Sequence, residues 1–159
     1  MSDAVFRREE SLGYQVNHLA RLLAQTLRDR IEPLGVVPGQ FAQLLALYEE
    51  DGLTQSQLCE RVRIEQPTMA NTLARMQRDG LIERVPDPAD SRRSFVHLTP
   101  RARELEASLT AAAREGNQVA TAGLDRAQVD AFMAMAAQMI GNLQGDDRTA
   151  APGSGRAKQ

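Results

Sequence analysis

The chain has 159 residues, a length that fits one domain or one domain with an extension, and its 42% apolar share is enough for a core. No apolar run approaches the ~20 residues needed to cross a bilayer. A single cysteine can form no internal disulfide, so a membrane protein and a disulfide-framed secreted domain are disfavoured and a reducing cytoplasm is expected. The net charge of −2, spread over 25% charged residues, looks poor for a nucleic-acid binder until it is divided along the chain.

Residues 2–10 are polar and expected to be loosely ordered. From Leu12 to about Glu32 apolar side chains recur every three or four residues, at Leu12, Val16, Leu19, Leu23, Leu27 and Ile31. Leu22 and Leu34 widen this stripe, which predicts a long helix with an apolar face too broad for one neighbour. Pro33 ends it, because proline cannot continue the hydrogen-bond ladder. Pro38 opens a second helix with Phe41, Leu44, Leu45 and Tyr48 on its apolar side, and Asp51-Gly52 closes it.

Thr54 and Gln57 have the spacing of a capping box, in which hydroxyl and amide satisfy two orphan N–H groups. They launch a short helix with Leu58 and Val62 one turn apart. After a tight turn another helix begins at Gln66-Pro67, proline being favoured at the first helical position. Met69, Leu73 and Met76 have core-facing spacing, and Gly80 stops the helix. The opposite face carries Thr68, Asn71, Thr72 and Arg75, with Gln66 and Pro67 at the tip. A helix entering the major groove reads bases with its N-terminal residues. Gln and Asn can pair bidentately with adenine, and Thr can hydrogen-bond or touch a thymine methyl. An ordinary solvated face has the same composition, so this helix alone leaves both readings open.

Residues 81–85 and 94–98 read as two strands. Between them Pro86-Asp87-Pro88-Ala89-Asp90-Ser91-Arg92-Arg93 reads as a hairpin loop that projects two arginines. Such a loop can lie along phosphates or place an arginine in a narrow minor groove. Asp90 is spaced to hold Arg92 by an ion pair. Helix, turn, helix, strand, loop and strand is the order of a winged helix-turn-helix.

Thr99-Pro100 then starts a helix with Leu105 and Leu109 and an alanine-rich run to about Ala122. Asp125 with Gln128 repeats the capping spacing. Val129, Phe132, Met133, Ala136, Met139, Ile140 and Leu143 form a last apolar stripe, expected to pack on the first helix and on a second copy. Residues 145–159 turn to Gly, Ala, Pro and charge, and a disordered tail is expected. The fold class is therefore mainly α with a small β-hairpin wing. Residues 35–99 form the winged helix-turn-helix, and 1–34 with 100–144 form dimerisation helices.

Between Arg61 and Arg103 nine arginines face five carboxylates, a balance of +4 that leaves −6 for the rest. The basic footprint thus falls on the segment that would meet DNA. No catalytic constellation is legible, so no enzyme is expected. His18 and His97 lie on separate elements, Cys59 has no CxxC or CxxH neighbour, and neither a metal nor a cofactor is expected.

Asp90-x-Arg92, five further residues and Leu98-Thr99, preceded by Gly80-Leu81-Ile82-Glu83-Arg84 and Asp87-Pro88, resemble the wing signature of the MarR family of bacterial transcriptional regulators. In helix order the resemblance runs from about Leu12 to Leu143. It implies a homodimer on a palindromic site in double-stranded DNA, with repression relieved by a small, often aromatic or phenolic, ligand. By position, Thr68 and Asn71 fall where the family reads bases, and Arg92 and Arg93 where its wing reaches the minor groove. The family's ligand pocket is lined by the first, second and fifth helices, where this chain carries Tyr14, His18, Arg21, Phe41 and Tyr48. Arg21 would pair a ligand carboxylate and His18 a phenol; a structural ion pair and a core histidine are the competing assignments. Some members sense peroxides through a cysteine near the start of the first helix. This chain has none there, and Cys59 is expected to behave as a small hydrophobe. The competing function is a protein-interaction winged-helix module without sequence-specific DNA binding.

Overall fold

The computed structural model describes residues 7–149, with side chains to Gly145. Helix α1 (Leu12–Ile31) is capped by Ser11, whose hydroxyl accepts from the Tyr14 N–H at 3.3 Å. A short 3-10 turn (Glu32–Leu34) containing Pro33 leads through Gly35, at φ 79°, to α2 (Pro38–Glu49). Then follow β1 (Leu53–Thr54), α3 (Gln55–Val62), α4 (Gln66–Arg78), β2 (Ile82–Asp87), β3 (Asp90–Leu98) and α5 (Pro100–Ala120). The three strands form an antiparallel sheet in the order β1-β3-β2. These elements make one compact unit that extends to Ala120. Within this unit α1 packs on α5.

The helix-turn-helix forms where its signals lie. Thr54 and Gln57 make the reciprocal cap: the Gln57 N–H donates to the Thr54 hydroxyl at 3.3 Å and the Thr54 N–H to the Gln57 side chain at 2.8 Å. Three residues separate α3 from α4, and the first, Arg63, is left-handed at φ 59°. Pro67 is the second residue of α4 rather than the first, still within the turn whose N–H groups have no intrahelical partner. Met69, Leu73 and Met76 are fully buried, with Leu44, Leu47, Leu53, Leu58, Leu81, Ile82, Val96 and Leu98 around them. Each such side chain contributes about 1.5–3 kcal/mol on burial. This core fixes α4 with its other face outward.

The hairpin differs from expectation. Residues 86, 87 and 90–93 are strand, not loop: the β2–β3 ladder runs from Ile82 opposite Leu98 to Asp87 opposite Asp90, and Pro88-Ala89 alone turn the chain. Pro86 is tolerated because β2 is an edge strand, where a missing N–H breaks no ladder. Arg92 and Arg93 therefore sit on a strand, which fixes their directions.

Helix α6 (Arg126–Thr149) belongs to a second unit that begins at Thr121. Asp125 and Gln128 cap it reciprocally, at 2.8 and 2.9 Å. Of the expected apolar stripe, Phe132, Met133, Met139, Ile140 and Leu143 are exposed. The helix runs through the first residues of the expected tail, to Thr149. The rest of that tail, like residues 1–6, lies outside the described residues. No helix among the described residues is long and apolar enough to cross a membrane.

Candidate nucleic-acid interface

Gln66, Pro67, Thr68, Asn71 and Arg75 are exposed on the outer face of α4. Thr72 is half-buried, and its hydroxyl donates to the Thr68 carbonyl at 3.0 Å, a back-bond within the helix. Gln66 is tethered to the first turn of α3: its amide nitrogen donates to the Ser56 hydroxyl at 3.2 Å, and its oxygen accepts from Gln55 at 2.9 Å. Gln55 in turn accepts from Arg84 of β2 at 3.4 Å. The start of α4 is thus held by neighbouring amides, leaving Thr68, Asn71 and Arg75 as the outward-facing polar groups.

The wing tip is organised by Asp87, which is buried. Its carboxylate accepts from the Ala89 N–H at 2.9 Å and, through its other oxygen, from Arg93 Nε and Nη2 at 2.8 and 2.7 Å. The Ala89 N–H foremost, then the Arg93 guanidinium, outweigh desolvation and hold this carboxyl below the usual carboxylate range. Arg93 also lies over the Phe95 ring, 5.4 Å from its centroid, a cation–π arrangement. The expected ion pair between Asp90 and Arg92 does not form. Asp90 accepts instead from the Arg92 backbone N–H at 3.0 Å, an Asx-type bond that spends its carboxylate on the main chain. The Arg92 guanidinium is exposed, with no ion-pair partner among the described residues. The sequence named the two arginines together, and the fold gives them different surroundings.

Asp51 organises the wing base. It accepts from the Leu98 N–H at 2.9 Å and from Arg103 at 2.5 Å, and lies 3.2 Å from His97 Nδ1. Burial pushes its carboxyl up, and these three partners together bring it below the usual value. The His97 ring covers Gly52, where a Cβ would sit 2.8 Å from the ring.

Helix and wing come together in a cleft of about 420 Å³. Its walls include Gln66, Arg92 and Arg93, which the sequence singled out, and Thr54, Gln55, Ser56, Arg84 and Ser94, which it did not. The α3 capping box was the available signal for Thr54–Ser56, since the first turn of α3 must adjoin the start of α4. Five polar side chains and three guanidinium groups around one concavity can accept a phosphate backbone.

The expected ligand residues do not share a site. Phe41 lines a cavity of about 390 Å³ formed by α1, α2 and α5, with Leu23, Leu27, Pro38, Leu45, Ala113 and Gly116 as further apolar walls and Thr110, Arg114 and Asn117 as polar ones. Tyr48 is turned away: its hydroxyl donates to the Ala102 carbonyl at 2.6 Å, and burial, aided by Glu106, pushes its pKa up to about 12. Tyr14, His18 and Arg21 are exposed on α1, the first two with ring centroids 6.2 Å apart, and none lines the cavity. Cys59 is half-buried, and burial, with the Glu60 charge, pushes its thiol pKa up, which keeps it protonated.

The MarR family model matches residues 34–93. The transcriptional regulator HosA of Escherichia coli is 38% identical over 104 residues, 64% of this chain and 75% of its own length. The helix-turn-helix-type regulator YsmB of Bacillus subtilis is 34% identical over 85 residues, 54% of this chain but only 58% of YsmB. Among solved structures, the PcaV transcriptional regulator of Streptomyces coelicolor, in complex with its natural ligand, superposes with a TM-score of 0.76 at 26% identity, covering 86% of this chain and 96% of that one.

Proposed function

This chain belongs to the MarR family of transcriptional regulators, and from that premise we propose that it acts in the cytoplasm as a homodimer that holds a palindromic operator and releases it when a small aromatic or phenolic molecule enters the α1–α2–α5 cavity. One observation carries the DNA side of the reading: the start of α4 and both wing arginines line the same cleft. On this reading Thr68, Asn71 and Arg75, beside the cleft, read base edges from the outer face of α4. Gln66 and Pro67 orient the helix tip, and Thr72 adds a methyl contact. Arg92 enters the minor groove beside the site, and Asp90 fixes its backbone. The apolar faces of α1 and α6 support the dimer, since a contiguous exposed apolar face marks an interaction surface. Two-fold related helices then meet half-sites about 34 Å apart. A ligand releases DNA only if it binds the released arrangement more tightly.

The test is footprinting of the purified protein on the DNA upstream of its own coding sequence, at two salt concentrations. Protection of an inverted repeat that weakens steeply with salt is expected. Binding no tighter than to random duplex would instead favour a winged helix that docks on protein.

A further inference from the structure

We propose that Gln40 is a positioning residue that carries the state of the α1–α2–α5 cavity to the recognition helix α4. The proposal rests on reading that cavity as the effector site. The first turn of α2 has two faces. Pro38 and Phe41 line the cavity. Gln40 lies between them, is 3% exposed, and donates from Nε2 to the Asp79 carboxylate at 2.7 Å. Its Oε1 accepts from the Val37 N–H at 3.3 Å, so both ends of a buried amide are occupied.

Asp79 caps α4. Its N–H donates to the Arg75 carbonyl at 2.8 Å, and its own carbonyl accepts from Arg101 of α5 at 2.6 Å. The same guanidinium covers Gly35, where a Cβ would meet it at 2.6 Å. The entry to α2, the end of α4 and the start of α5 therefore meet at one polar junction, and α2 and α5 also wall the cavity. A buried amide that loses its acceptor is left unsatisfied, which is strongly unfavourable. An occupant that displaces Phe41 must then either draw Asp79 along with Gln40 or break this bond. Both outcomes change how the C-terminal end of α4 is held. The reading end of α4 lies roughly 20 Å away along a 13-residue helix, so a small tilt at Asp79 becomes a larger displacement at Thr68.

A double-mutant cycle tests this without knowledge of the effector. Ala113→Phe fills the cavity from α5, and Gln40→Leu removes the link. Affinity for the upstream duplex is measured for wild type, both single variants and the double variant. Ala113→Phe is expected to weaken binding roughly tenfold in the wild-type background, in the ordinary range of coupling between sites, and less than about threefold with Leu at position 40. Equal losses in both backgrounds would overturn the role of Gln40 while leaving the cavity reading intact. No loss in either would remove the cavity reading and the proposal with it. Because Gln40→Leu is a buried change, an exchange of donor and acceptor supplies a second arm. Gln40→Glu sets two carboxylates together and should abolish the response to Ala113→Phe. Adding Asp79→Asn restores the bond in reverse and should restore the response; a folded double exchange that stays unresponsive would overturn the proposal.

Discussion

In the wing, most charged side chains find their partners inside the chain. Asp87 closes the turn and holds Arg93, and Asp51 gathers Arg103, His97 and the Leu98 N–H. Along α1 the reverse holds: Leu12, Val16, Leu19 and Leu22 are 38–59% exposed. The wing is finished by its own sequence, while α1 is left for something else to complete. Geometry that must match a rigid duplex is best fixed beforehand, since ordering it on contact would cost affinity. A surface that a second copy covers need not be satisfied alone.

The sharpest way to break this contrast is to charge the unfinished face. Leu22→Glu would bury an unpaired carboxylate in the proposed dimer, an effect of about 3–5 kcal/mol. Sedimentation should show monomers, and operator affinity should fall by two orders of magnitude or more; a dimer of unchanged stability would mean that α1 is not covered by its copy. Next comes Arg92, whose guanidinium has no ion-pair partner among the described residues. Arg92→Ala should weaken operator binding about tenfold, the scale of one charge-assisted hydrogen bond, and flatten the dependence on log salt by about one. The same change at Arg93 should alter affinity through wing order rather than through the salt slope.

Asp87→Asn should have a smaller effect, a loss of a few-fold, because the turn N–H keeps an acceptor. Its signature is in pH. The folded carboxyl is held below its ordinary value, so its contribution is complete above about pH 3.9 and is lost as pH falls through the lower folded value. Amide exchange at the wing tip should rise over that acid window in the wild type and stay flat in the variant. Cys59→Ala should matter least, changing operator affinity less than about twofold, and the native thiol should react slowly with a disulfide reagent.

Much of this architecture was legible because its signals are local. Thr54 with Gln57, the methionine–leucine stripe of α4 and Gly80 each act within a turn or two. The wing was misread because Pro86, Asp87, Pro88 and Asp90 have loop composition, and only the sheet order makes a strand proline acceptable there. β1 has two residues, too few for any alternation. Tyr14, His18 and Tyr48 drew attention as aromatic or polar handles, yet the cavity is walled mainly by aliphatic and small residues that read as ordinary core. Gln40 was invisible for a related reason: its partner, Asp79, is 39 residues away, and no periodicity encodes that meeting.

The sheet order has a consequence for solubility. β2 runs six residues at an outer position, so one side of its backbone is a template on which a foreign strand could assemble. Three features resist that. Pro86 withholds a donor, the irregular register at Pro86/Asp87 bends the rim, and Glu83 lays a charge along it. The residues that made this stretch look like a loop are those that let a strand remain single in a crowded cell.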